Sequence, residues 1–125
     1  GMNLNNSNPE NLARAMIEGM LCGMADAVDS LEKLGVEVKR ILLVGGAAKN
    51  PAVGKIASAI FGREVLLPPP GEYVAIGAAK LAAWALLGSD RPPQWDLGKV
   101  ESIKEKATPE VLVKYRKLRD QTAGW

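Results

Sequence analysis

Apolar residues recur at helical spacing near the start of the chain. Leu12, Met16, Ile17, Met20, Leu21, Met24, Val28 and Leu31 follow Asn8-Pro9-Glu10 and precede Gly35. Asn8 suits an N-cap, Pro9 the first turn and Glu10 the positive end of the helix dipole, while Gly35 supplies a stop. A second row, Ala15, Gly19, Gly23 and Ala27, recurs at every fourth residue. A mid-helix glycine costs about 1 kcal/mol relative to alanine, so close packing against another backbone is expected to offset it. The same spacing serves membrane helix dimers, but this helix is too polar to span a bilayer.

The pattern then changes period. Arg40 to Val44 is short, branched-rich and bounded by glycines, which predicts a buried strand. Asn50-Pro51 predicts the cap of a helix with Val53, Ile56, Ala57 and Ile60 on its inner face, closed by Gly62. Glu64 to Leu67 predicts a second strand, and Pro68-Pro69-Pro70-Gly71 a rigid, extended connector. Tyr73 to Leu87 is apolar almost all round, with Lys80 its one charge, and is expected to be buried between layers. Residues 88–107 read as loop. A terminal helix is expected over 108–122, with Val111, Leu112, Tyr115 and Leu118 as its stripe. Its Lys114, Arg116, Lys117 and Arg119 admit two readings, an anion site or, more simply, a solvated face.

The order is therefore α-β-α-β-α plus a C-terminal helix, behind a flexible polar lead-in over residues 1–8. Strands alternating with helices imply an α/β fold with parallel pairing. Two strands make a poor sheet, so the pattern suits half of a domain whose other strands would precede residue 1. Gly1-Met2 is open to two readings: a tag remnant ahead of an internal start, or native sequence.

Composition narrows the classes. At 125 residues the chain suits one domain, and 47% hydrophobic residues with a net charge of +2 describe an ordinary globular protein. Lys and Arg are dispersed and aromatic residues scarce, which argues against nucleic acid as a partner. No apolar run approaches a membrane span and no signal peptide opens the chain. Cys22 is the sole cysteine, so the chain has no disulfide framework and no thiolate metal site. The absence of histidine excludes Ser-His-Asp and Cys-His catalysis and His-ligated metals within it. These features point to the cytoplasm.

The candidate chemistry lies in "ILLVGGAAKNP", residues 41–51. A strand that runs into Gly-Gly and then a helix exposes backbone N–H groups near the helix's positive end, where a ligand can approach the main chain closely. That suits a phosphate or the flat face of a nucleoside. The same turn also serves as a tight strand-to-helix connection with no ligand. It is not a P-loop: Gly54-Lys55 is followed by Ile56, and Lys49 stands where the first glycine belongs. The dinucleotide fingerprint G-x-G-x-x-G is absent too. Asn50 has a local explanation as the N-cap before Pro51.

"LLVGGAAKNPAV" (42–53) together with "PPPGEYVAIGAAKLAAW" (68–84) resembles the C-terminal part of the FGGY family of carbohydrate kinases, most closely its bacterial xylulokinases. "NLARAMIEG" (11–19) fits the second half of a family pattern, whose first half would end in a glycine and an apolar residue such as Gly1-Met2. "PEVLVKYRKL" (109–118) looks like the family's closing helix. The resemblance covers Asn11 to about Leu118, with the stretches in family order and spacing.

The resemblance implies a two-lobed, actin-like fold of ribonuclease-H type with ATP between the lobes. This chain, residues 1–125, would be the C-terminal portion of the second, nucleotide-side lobe. Gly46 and Ala47 would lie against the adenosine and phosphates, Asn50 would reach the nucleotide with its amide, and Gly45 would shape the turn. Many relatives have a third glycine where Ala47 stands, so its methyl sets how near a ligand comes there. Residues 75–79 would pack against the nucleotide side, with Gly77 structural. The parent would transfer the γ-phosphoryl group of ATP to a sugar hydroxyl, that of D-xylulose in xylulokinases, with Mg2+ and a proton-accepting carboxylate. In the family that aspartate and the sugar pocket lie upstream. Asp26, Asp29 and Asp90 lack its context and read as exposed charges, so this chain is assigned no catalytic residue and no metal ligand. Alone it is expected to be inactive, to bind ATP weakly, and to self-associate through the bare strand 41–44 or the first helix. The other readings are a kinase for gluconate or glycerol, a non-catalytic actin-like interaction module, and a purely structural α/β domain.

Overall fold

The computed structural model describes residues 1–96 and 98–124. Asn8 caps the first helix, its carboxamide oxygen accepting from the N–H of Asn11 at 2.8 Å. Helix α1 runs Pro9–Lys33. The apolar spacing of α1 serves two faces. Leu21, Cys22 and Ala25 are buried, with Ile17 packed against them, whereas Leu12, Met16, Met20, Met24 and Leu31 are exposed. The expected close packing along Ala15, Gly19, Gly23 and Ala27 is not made among the described residues. A Cβ added at Gly19 would meet nothing within 4 Å, and one at Gly23 would meet the Tyr115 hydroxyl at 3.6 Å.

Strand β1, Ile41–Leu42, is shorter than its apolar run. After a 3-10 turn over Gly46–Lys49, helix α2 spans Pro51–Phe61 and ends at Gly62. Strand β2, Val65–Leu67, pairs parallel with β1, placing Ile41 opposite Val65 and Leu42 opposite Leu66. Helix α3 is Tyr73–Leu87. Within 88–107, read from the sequence as loop, Glu101–Ile103 forms strand β3. It pairs antiparallel with β2, so parallel pairing holds for β1 and β2 and not throughout. A single apolar residue beside Glu and Ser gave that strand little pattern to be read from. Helix α4, Pro109–Thr122, closes the chain, and the sheet order is β1-β2-β3.

Helix α2 is the hub. Its Val53, Ala57 and Ile60 are buried, and Ala57 and Ile60 join Leu21, Cys22, Ala25 and Val65 in one core. Fully burying a side chain such as Leu21 or Val65 contributes about 1.5–3 kcal/mol. Gly54 lets the helix settle on the sheet: a Cβ there would lie 2.8 Å from Ile103 Cδ1 and 3.3 Å from Leu67 Cδ2. Ser58 is fully buried and fully bonded. Its hydroxyl donates to the Arg63 carbonyl at 3.0 Å and accepts from the Glu105 N–H at 2.9 Å, tying α2 to the segment after β3.

Helix α4 docks through Val111, Leu112 and Tyr115, which pack against the core. Its basic face is not simply solvated. Arg116 Nε donates to Asp26 at 2.7 Å, its terminal nitrogen pairs with Asp29, and Arg119 also reaches Asp26. Asp26 and Asp29, expected as exposed charges, are half-buried partners in this clamp. Partial burial alone would raise the Asp26 pKa, but the hydrogen bonds and charges of Arg116 and Arg119 outweigh it and hold the carboxyl below its ordinary range. Burial pushes the Cys22 thiol up, with Glu18 and Asp26 adding to the effect, which keeps it protonated and inert.

Helix α3 departs most from expectation. None of its residues is buried; Val74 is 91% and Leu86 87% exposed. A Cβ at Gly77 would meet nothing within 4 Å, and of residues 75–79 Ile76 alone is half-buried, beside Gly71.

Candidate functional site

The site begins where β1 stops. Leu43 N–H extends the ladder by donating to the Leu66 carbonyl at 2.9 Å. Two residues later Gly45 takes φ +99° and ψ −178°, a region open essentially to glycine alone. The chain then tightens into the 3-10 turn, with Ala48 N–H bonded to the Gly45 carbonyl at 3.2 Å and Asn50 N–H to the Ala47 carbonyl at 3.1 Å. No side chain caps the start of this turn, so its first N–H groups keep no local partner of that kind.

The two glycines are not equivalent. Gly45 is demanded by the backbone. Gly46 has no positive φ, and a Cβ added there would meet nothing within 4 Å. Neither conformation nor packing among the described residues accounts for its missing side chain. Ala47 needs no positive φ either, so a methyl is tolerated where a third glycine often stands. Asn50 serves as the cap of α2, accepting from Ala52 N–H at 3.0 Å. Its side-chain nitrogen has no hydrogen-bond partner among the described residues, so the amide keeps a free donor.

Beside the turn lies a cleft of about 390 Å³. The connection from β1 contributes Leu43 to Gly45, Ala48 and Lys49, the connector after β2 contributes Pro68 to Gly71, and Tyr73 stands at the start of α3. Lys99, Glu101 and Ile103 close it from the β3 side. It thus opens at the carboxyl ends of the parallel strands, where ligands of open α/β sheets bind. Its volume suits a small molecule. Of the four residues the sequence singles out, Gly45 lines the cleft, while Gly46, Ala47 and Asn50 are exposed on the same turn outside the lining.

Sequence reasoning missed most of the walls. The prolines read as a mere connector, yet they form one side, held by the Tyr73 hydroxyl donating to the Pro69 carbonyl at 2.5 Å. Lys49, Lys99 and Glu101 bring two positive charges and one negative, and none of them is in an ion pair among the described residues. Glu101 had no signal because its strand had none, and Lys99 had none because it precedes that strand in a stretch read as loop. The cleft offers a shaped surface, cations and main-chain donors, with Glu101 its single carboxylate. That chemistry binds and orients.

Residues 1–86 match the model of the C-terminal domain of the FGGY family of carbohydrate kinases. The crystal structure of xylulose kinase from Bifidobacterium adolescentis superimposes with a TM-score of 0.71 at 45% identity, covering 95% of this chain and 24% of that one. Xylulose kinase from Rhodospirillum rubrum gives a TM-score of 0.65 at 25% identity, covering 99% of this chain and 25% of that one. Glycerol kinase from Thermococcus kodakarensis is 34% identical over 122 residues, which is 93% of this chain and 24% of that enzyme. The chain spans about a quarter of the length of the relatives it matches. Among the described residues no helix is long and apolar enough to cross a membrane. A mixed α/β domain of four helices and a three-stranded sheet, with a glycine-demanding bend beside a cleft, therefore belongs to the FGGY family of carbohydrate kinases as a C-terminal domain.

Proposed function

We propose that this chain is the nucleotide-side C-terminal segment of an ATP-dependent sugar kinase, and that the cleft beside Gly45 and Gly46 receives the adenine nucleotide. The carrying observation is Gly46: the chain has no use of its own for the missing side chain there, whereas a ligand pressed against the main chain would. In this reading Gly45 sets the bend, Gly46 and Ala47 meet the adenosine and phosphates, and Asn50 offers its free amide nitrogen. Residues 1–125 form the last part of the second lobe of an actin-like, ribonuclease-H-like fold. Xylulose is the proposed sugar, supported by the 45% identity to a xylulose kinase.

The parent's reaction would be transfer of the γ-phosphoryl group of ATP to a sugar hydroxyl, for which Mg2+ would supply charge neutralisation. The ion would come with the nucleotide and be held mainly by the rest of the parent, since the cleft supplies one carboxylate. The residues described here bind and orient; the proton acceptor and the sugar pocket belong to the remainder, and the isolated chain is inactive.

A second reading is favoured by the 34% identity to a glycerol kinase over nearly the whole chain. Assay of the full-length parent with ATP and Mg2+ against xylulose, glycerol and gluconate decides between them. Preferential turnover of xylulose is expected; preference for glycerol transfers the assignment, and no phosphoryl transfer to any of the three overturns it. Gly46→Val in the same protein should raise KM for ATP about tenfold or more while leaving KM for the sugar in place.

A further inference from the structure

We infer that Lys99 is a nucleotide-binding residue that grips the phosphate chain from the β3 side of the cleft. This rests on the reading that the nucleotide lies beside Gly45, and adds to it a contact from outside residues 1–86, the part the family model matches.

The cleft has two chemically distinct parts. Leu67, Pro68, Pro69 and Tyr73 make an apolar wall, while Lys49 and Lys99 line the cleft from the connections flanking the sheet. A phosphorylated aromatic nucleoside divides in the same way, into a flat apolar base and a polyanion. Glu101 shares the rim, so the lining charge is positive by one, and neither lysine is engaged in an ion pair among the described residues. An unengaged, strongly hydrated ammonium is a point charge suited to phosphate.

Lys99 is also placed deliberately by its neighbour. Gly98 adopts φ +84°, and its N–H donates to the Asp96 carboxylate at 2.8 Å. A Cβ at that position would lie 3.1 Å from Pro69 Cγ. The backbone that carries Lys99 therefore passes hard against the proline wall, in a conformation that favours glycine. The wall is itself fixed by the Tyr73 hydroxyl. Together these contacts hold the base of the Lys99 side chain in one place relative to the cleft.

The test uses the full-length kinase that carries this chain. Lys99→Ala should raise KM for ATP, and the inhibition constant of ADP, about tenfold, with the sugar KM nearly unchanged. Inhibition by adenosine, which has no phosphate, should not weaken, and Lys99→Arg should restore most of the loss. Lys99 is exposed, so the substitution leaves the fold intact. If Lys99→Ala leaves ATP and ADP unaffected while Gly46→Val raises KM for ATP, this inference fails and the nucleotide reading stands. If neither substitution moves KM for ATP, both fail. Equal weakening of adenosine and ADP would also overturn the phosphate contact.

Discussion

Gly45 and Gly46 are adjacent and chemically identical, yet the fold asks different things of them. The backbone at Gly45 excludes a side chain, whereas Gly46 faces open space. Gly45→Ala should therefore destabilise the chain by about 1–3 kcal/mol. Gly46→Ala should stay within about 0.5 kcal/mol. Thermal denaturation of the two variants side by side checks this, and equal losses would show that the bend is not strained where described. At this scale the sequence was legible where the physics is local. Asn8 and Asn50 cap the helices they precede, because a cap involves only the next two or three residues. Lys99 was illegible, because its significance comes from Pro69, thirty residues away in the chain and in contact with its neighbour Gly98.

Among the elements, α4 is held on α1 by charge as well as by apolar contact, and that makes its docking sensitive to acid. Partial burial opposes ionisation of Asp26, but Arg116 and Arg119 more than compensate, so its pKa falls below the ordinary value of 3.8. A carboxyl depressed in the folded state contributes stability that is fully present above the unfolded value and is lost as pH falls through the folded one. Asp26→Asn should lower Tm at neutral pH, and the gap between the variant and the native chain should close as pH drops below about 4. A gap that persists undiminished in acid would mean that the ion pairs are not its source. Arg116→Ala should cost about 1 kcal/mol at neutral pH, the scale of a partly exposed pair. Periodicity located α1, α2 and α4, and a nearly unbroken apolar run located α3. Neither could show what they face. The uniform apolarity of α3 promised a buried helix, yet α3 lies open, and the same holds for the methionine face of α1. Strand β3 escaped notice because three residues, Glu101, Ser102 and Ile103, are too few to carry a recognisable period.

Over the whole molecule, α2 covers one face of the sheet. Ile41, Val65 and Ile103 share the register row nearest α2, while Leu42 and Val44 stay exposed along the β1 edge. Bare apolar faces on α1, α3 and β1 exceed what a solitary soluble domain normally leaves in water. The isolated chain is therefore expected to self-associate, seen as a rising mass with concentration in size-exclusion chromatography with light scattering; a monomer at every concentration would contradict this. The α/β class and the parallel pair were legible from alternation of strand and helix, and the half-built sheet from having too few strands. Which surface forms the cleft was not, because its walls come from three separate connections that meet only in the folded chain. The central claim is that the cleft beside Gly45 and Gly46 receives an adenine nucleotide. A structure of the full-length parent with bound ATP tests it most directly. The account predicts the adenosine in van der Waals contact with the main chain at Gly46 and the phosphates within reach of Lys99. A nucleotide bound away from residues 45–50 would contradict it.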